Sequence, residues 1–394
     1  MSENVIILGA GFSRDAGIPL LGEFIDRMLD IAVRGKVYGE DITRQDHELI
    51  QEAMSIRAEL DNIHGRAVFD DRNIEDILSV LAFNVLGGGK KDKNKFDTVT
   101  RAICRTIELC STIVDPRLAD GHATVISDSP HVYRTFWHGM FEWVSKGNSL
   151  PPIITFNYDL VLELSLLQLL NNTIYNQFDK VLPFKSIGVH YSHPFGLDSA
   201  FGLGQVHYGI EKRKLGTITT STTANEADKG YQRVDILKLH GSLNFPKNAK
   251  GLSDLVFGKS VENPGILPPV SNKLSGKAAD EIWRAALLKL RSARNVVFVG
   301  YSLPQTDMYM QYFLKAALGP NLDLDKITVF DPVLFKPNST AGGQMRDRFE
   351  MCFSENMRKR IYFTPARGVS DAIEKGTTEH FVNTLMHRPA EIFF

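Results

Sequence analysis

Five short runs along the chain, residues 5–8, 153–156, 234–239, 296–299 and 327–330, are apolar at nearly every position. Continuous rather than alternating apolar character marks strands buried on both faces, as in a parallel sheet covered by helices on either side. Helical periodicity separates most of the runs, which is what parallel crossovers require. Most of them end at Gly, Asn, Asp or His. Open sheets of this kind bind ligands beyond the carboxyl ends of their strands, so those polar ends are where function is expected.

The segment between the first two runs is too long for a single crossover. Its apolar spacing predicts helices over residues 21–33, 47–63, 74–85, 96–113 and 131–144. Residues 171–232 differ, being rich in Gly, Thr and aromatics with little helical periodicity. The Ser/Thr run at 217–223 predicts an exposed or mobile loop. Lys90, Lys91, Lys93 and Lys95 follow three glycines and read as a solvated loop tip.

Composition narrows the class of protein. The 394 residues are 43% hydrophobic and 23% charged, with a formal net charge of −1. That balance suits a soluble globular chain and gives no basic excess for direct nucleic-acid binding. Three cysteines, Cys104, Cys110 and Cys352, supply neither a disulfide framework nor a C-x-x-C metal pair. No metal is expected, Cys104 and Cys110 read as helix packing residues, and a reducing cytoplasmic setting follows. The N-terminus lacks a basic secretory n-region. The long apolar stretch from 153 to 170 is broken by Asn157, Asp159 and Glu163, which argues against a membrane span.

Candidate chemistry sits at the ends of the apolar runs. Gly9-Ala10-Gly11-Phe12-Ser13 follows the first run and leads through Gly17-Ile18-Pro19. Its glycines admit close approach of a diphosphate to backbone N–H groups, or serve simply as a tight strand-to-helix turn. Thr155-Phe156-Asn157-Tyr158-Asp159 ends the second run. Asn157 can orient a water or ribose hydroxyl and Asp159 can accept from a carboxamide; either can equally cap the following helix. Lys238-Leu239-His240-Gly241-Ser242 ends the third. There His240 can act as a base toward a ribose hydroxyl, or be a satisfied half-buried histidine. Gly300-Tyr301-Ser302-Leu303-Pro304, with Asp307 nearby, and Phe330-Asp331-Pro332 close the last two runs. Asp331 can bind ribose hydroxyls or make a plain turn.

Taken together these motifs resemble the sirtuin family. Gly9-Ala10-Gly11, Ser13 and Ala16-Gly17-Ile18-Pro19 match its G-A-G-x-S-x-x-(S/A)-G-I-P pattern; Thr155, Asn157 and Asp159 match T-x-N-x-D; His240-Gly241 matches the catalytic His-Gly. Gly300-Tyr301-Ser302-Leu303 approximates G-T-S-L. The resemblance implies an α/β fold with a Rossmann-like parallel sheet of about six strands and a large helical insertion between the first and second. On that basis residues 1–20 and 151–394 form the NAD-binding domain, with an irregular insertion about 171–232, and residues 21–150 form the helical subdomain. The family pattern implies that Gly9, Ala10, Gly11 and Ser13 hold the diphosphate and nearby groups. It further implies that Asn157 orders water or ribose, Asp159 recognises the nicotinamide amide and His240 acts on the nicotinamide ribose. Gly17, Ile18, Thr155, Gly300, Ser302 and Asp331 complete the expected dinucleotide-binding set.

The departures point within the family. No zinc ribbon of four cysteines can form, Leu20-Leu21-Gly22-Glu23 replaces the Phe-Arg of deacetylases, and the spacing from Asn157 to His240 is longer than theirs. Asn73-Ile74-Glu75-Asp76-Ile77-Leu78, and Ile266-Leu267-Pro268-Pro269 with Lys273, resemble segments of the bacterial antiphage branch. That branch implies NAD glycohydrolysis to nicotinamide and ADP-ribose, NAD depletion in abortive infection, a homo-oligomer, and a HerA-type ATPase partner. The alternatives are an NAD or ADP-ribose binding module without turnover, a protein deacylase, or an ADP-ribosyl transferase.

Overall fold

A computed structural model of the protein describes residues 4–63, 70, 72–113, 131–175, 184, 186–191, 199–203, 218–219, 231–247, 257–266, 277–304, 307–334, 340–364 and 377–394. Among these, the main-sheet strands are β1 (Asn4–Leu8), β2 (Ile153–Thr155), β3 (Ser186–Tyr191), β4 (Ser199–Leu203), β5 (Ile218–Thr219), β6 (Tyr231–Lys238), β7 (Asn295–Val299), β8 (Lys326–Phe330) and β9 (Ile361–Thr364). The longer helices are α1 (Leu21–Arg34), α2 (Arg44–Ile63), α3 (Ile74–Gly87), α4 (Lys90–Cys110), α5 (His131–Ser145), α6 (Val161–Tyr175), α7 (Lys277–Arg291), α8 (Met308–Leu318), α9 (Thr340–Glu350) and α10 (Thr377–His387).

The sheet runs β9-β8-β7-β1-β2-β6-β3-β4-β5. Strands β9 through β3 are mutually parallel; β4 and β5 extend the edge in antiparallel pairing. From β1 the chain steps to β2, lays down β3, β4 and β5 at the edge, comes back to place β6 between β2 and β3, then crosses to β7 on the other side of β1 and winds outward through β8 to β9. This is the doubly wound α/β order, and the order reverses between β1 and β7. The expected parallel α/β sheet is therefore present, wider than the six strands anticipated.

Both faces of each central strand are buried, which accounts for the unbroken apolar runs. Val5, Ile7, Ile154, Val296, Phe298 and Val329 pack on one side with Ile282 of α7, Leu314 of α8 and Met345 of α9. Ile6, Leu8, Ile153, Val297 and Phe330 face the other side. There they share one core with Met28 of α1, Ile50 of α2, Ile77 of α3, Ile103 of α4, Trp137 of α5 and Phe381 of α10. The helices that follow β1 in sequence thus pack directly on the sheet.

Two expectations are corrected. The described residues of the segment 171–232 include the end of α6 and the strands β3, β4 and β5, which widen the sheet. Its short strands carry too few residues for their alternation to register. The Ser/Thr run at 217–223 lies outside the described residues except for 218–219, which form β5. The lysine run is helical: α4 starts at Lys90 after Gly89, and Lys95 Nζ sits 2.6 Å from Glu59 Oε1 of α2. Cys104, Cys110 and Cys352 are all buried and free. Among the described residues no helix is long and apolar enough to cross a membrane.

The turns after β1 and β7 meet backbone to backbone. Gly11 N donates to Gly300 O at 2.9 Å, and Gly9 N donates to Val299 O at 3.0 Å. A Cβ on Gly9 would lie 2.5 Å from Gly300 O, and one on Gly300, whose φ is +64°, would lie 2.4 Å from Phe12 N. Gly300→Ala should therefore cost roughly 2–5 kcal/mol, combining the left-handed penalty with overpacking. Urea unfolding checks this; an unchanged midpoint would show that the two turns can part freely.

Candidate functional site

A cavity of about 220 Å³ lies at this edge of the sheet. Ala10 enters from the turn after β1; Phe156, Asn157, Tyr158 and Asp159 enter after β2; His240 enters after β6; and Gly300, Tyr301 and Ser302 enter after β7. The opposite wall comes from the inserted helices: Leu21 and Phe24 of α1, Ile74, Glu75 and Leu78 of α3, and Ile103 and Ile107 of α4. Ile18 and Pro19 join the two walls.

Asn157 is tied into the floor. Its backbone N donates to Thr155 Oγ1 at 3.1 Å, and its Nδ2 donates to Gly9 O at 3.0 Å and Ser13 Oγ at 2.9 Å. Both amide hydrogens are thereby used, which leaves Oδ1 as the side chain's acceptor. Ser13 in turn donates to Asp159. Asp159 Oδ1 accepts from Val161 N at 3.0 Å, so this residue also caps α6. Burial pushes the Asp159 carboxyl above its ordinary value, against the opposing pull of Lys238 and Ser13.

His240 is fixed by the reversal that follows it. Leu239 N donates to Thr155 O at 2.9 Å, and Gly241 then adopts φ +84°. A Cβ at Gly241 would stand 2.1 Å from Gly265 O in the paired strand Pro264–Ile266. The imidazole is buried among rings, with centroids 5.2 Å from Phe156, 6.2 Å from Tyr158 and 6.2 Å from Trp283. Phe156 stacks on Tyr301 at 4.6 Å, and the Tyr301 hydroxyl donates to Asp307 Oδ2 at 2.8 Å. Leu303, next to Ser302, has φ +47°, an uncommon strain for a branched residue.

Beneath the floor is an ionic group that sequence reasoning missed. Lys238 and Glu163 are 1% and 0% exposed and pair at 2.8 Å. Lys238 Nζ also donates to Asp159 O at 2.5 Å and Ser242 Oγ at 2.8 Å, while the Tyr191 hydroxyl donates to Glu163 Oε1 at 2.7 Å. The available signal was a lysine and a glutamate each standing inside an otherwise apolar run. Glu75 was legible as part of a motif at the start of the helix expected over 74–85, with no role of its own.

Of the expected site residues, the structure brings Ala10, Ile18, Asn157, Asp159, His240, Gly300 and Ser302 to one cavity. Gly9, Gly11, Ser13 and Thr155 stand behind its wall in the contacts given above. Gly17, at φ +81°, ends the helical turn Arg14–Ala16, with its Cβ position against Tyr38 Oη and Cys110 O. Asp331 is buried at the end of β8 outside the cavity lining, and its Oδ1 accepts from Val333 N at 2.9 Å, the turn role that its Pro neighbour allowed. Arg348 reaches Ser302 O from the same side at 3.0 Å. Ile266 is described; residues 267–269 and Lys273 of the same motif lie outside the described residues.

No family model and no curated protein matches the sequence. Among solved structures, the chain is similar to a serine-to-alanine mutant of a Sir2 homologue in complex with ADP-ribose. The identity is 11%, the match covers 89% of this chain and 91% of the other, and the TM-score is 0.28. At that score the two backbones coincide only in part. What the fold and the cavity define by themselves is a doubly wound α/β protein with a ligand crevice at its strand-order reversal.

Two outcomes follow for stability. Lys238→Met leaves Glu163 in the interior without its cation, at a cost of roughly 3–5 kcal/mol; adding Glu163→Leu should recover most of it. Urea midpoints of the single and double variants check this, and a double variant as unstable as the single would refute it. Burial pushes Asp331 up from 3.8 to about 6. A carboxyl raised on folding contributes stability at low pH that is lost as pH rises through that window. Relative to Asp331→Asn, the parent chain should lose roughly 2–3 kcal/mol between pH 3.5 and 6.5. A difference that stays constant with pH would refute the burial account.

Proposed function

We propose that the protein binds NAD and hydrolyses its nicotinamide–ribose bond. The observation that carries this is the convergence of Asn157, Asp159 and His240 with Ala10 and Gly300 on one cavity at the strand-order reversal. At about 220 Å³ the cavity is smaller than the roughly 300–1,000 Å³ typical of whole-ligand pockets, so it suits the nicotinamide–ribose half. The remaining half would run over the Gly9–Ser13 turn toward Asp331. Gly9, Gly11, Ser13, Gly17 and Thr155 act in this reading through the shape they impose on that turn.

Nicotinamide departure leaves positive charge on the ribose ring. The Asn157 Oδ1 orients a water or ribose hydroxyl beside it, His240 supports the ribose hydroxyls, and Asp159 faces the carboxamide. Aromatic and aliphatic walls keep the site dry, which strengthens each of these polar contacts. The motif likeness extends the proposal to NAD depletion in antiphage defence by a homo-oligomer with a HerA-type ATPase. Uncontrolled loss of NAD is toxic, so a trigger, partner or assembly step restrains the resting protein.

Incubation with NAD, alone and with candidate partners, should release nicotinamide and ADP-ribose. Asn157→Ala and His240→Ala should each lower turnover by at least ~10²-fold with the fold retained, Asn157→Ala also lowering the melt because Gly9 O and Ser13 Oγ lose its donor. Tight calorimetric NAD binding without nicotinamide release under any of these conditions would instead make the chain a sensor.

A further inference from the structure

The sheet supplies most of the cavity's polar groups, but one comes from the inserted helices. Glu75 is the second residue of α3, half-buried, and lines the cavity together with Asn157 and His240. Its place is fixed at the helix start, where Asn73 Oδ1 accepts from Glu75 N at 2.9 Å. Ile74 and Leu78 on either side of it are buried in the core shared with the sheet. The carboxylate therefore rides on an anchored turn that faces the strand ends.

Its charge is felt on two walls. Burial first, then Glu75, pushes the Tyr158 hydroxyl up; Tyr301 is raised by burial, by Asp307 and by Glu75 as well. Tyr158 follows β2 and Tyr301 follows β7, the two neighbours of β1. Glu75, Tyr158 and Tyr301 all line the same cavity. Asp159 is less suited to act on water: one oxygen holds Val161 N, Ser13 donates to its carboxyl, and Lys238 holds its carbonyl.

We propose that Glu75 is a catalytic residue of this site, accepting the proton of the attacking water and offsetting the charge on the ribose. This rests on the NAD-cleaving reading. As the bond from C1′ to the nicotinamide nitrogen breaks, its electron pair stays on that nitrogen and neutralises the pyridinium. Positive charge passes to the ribose ring, the water oxygen bonds to C1′, and its proton moves to Glu75 and on to solvent. NAD and water thus give nicotinamide, ADP-ribose and one proton. A carboxylate that takes the proton of water favours hydrolysis over transfer to another acceptor.

The full chain, Glu75→Gln and Glu75→Ala are compared for nicotinamide release, KM, NAD affinity by calorimetry, and thermal melt. Glu75→Gln should lose at least ~10²-fold in kcat with KM, affinity and melt little changed. Added formate should restore part of the turnover of Glu75→Ala, which a purely structural role would not allow. Unchanged turnover in both variants overturns the assignment, as does a loss explained by weaker NAD binding or a lowered melt without formate rescue. A parent chain that releases no nicotinamide defeats the NAD-cleaving reading itself; an active parent with indifferent Glu75 variants defeats the role of Glu75 alone.

Discussion

Two glycine turns, remote in sequence, meet without side chains between them, and the crevice takes its shape from that contact. Gly11 N reaches Gly300 O at 2.9 Å, and main chain already fills the space where a Cβ would go. Such an approach is open only to glycine, because any other residue would wedge the turns apart. The doubly wound order is what sets β1 beside β7, so topology and turn composition produce the same feature. Asn157 then ties a third strand end to this pair by donating to Gly9 O.

The floor beneath the cavity reverses the usual logic of a core. A lysine and a glutamate, both almost fully buried, occupy ground that apolar residues would fill at less cost. They are held by Tyr191, Ser242 and the carbonyl of Asp159, so the pair is anchored on several sides. The carbonyl is the informative partner. Through it a buried ammonium fixes the backbone of a cavity residue and draws its carboxyl toward the charged form, while burial pushes the other way. On the NAD-cleaving reading, a polar scaffold already oriented before the ligand arrives suits the passing positive charge.

Much of this was legible in the sequence, and the reasons are uneven. Strands buried on both faces leave long apolar signatures, so β1, β2, β6, β7 and β8 could be read at once, as could α1 through α5 from their period. The motif residues Asn157, Asp159 and His240 stood out because they stand where apolar runs end. The three strands between 186 and 219 were hidden, being short and set among Gly and Thr. Ser13, Gly17 and Asp331 were recognisable as special positions, but spacing cannot say whether a special residue touches a ligand or shapes the turn that does. Lys238 and Glu163 illustrate the harder limit: a charge within an apolar run is visible, whereas its partner depends on tertiary folding.

The inserted helices close the account of the cavity. Their apolar faces and one face of the sheet form a single core, from Leu8 and Val299 out to Ile77 and Ile103. The roof over the crevice is thus the same packing that holds the helices in place, and its buried wall lowers the dielectric around the polar floor. In the proposed reading, a carboxylate from that roof and an amide and imidazole from the floor meet a ligand from different layers. Neither layer contains the full set, so the chemistry of the site depends on the register between them.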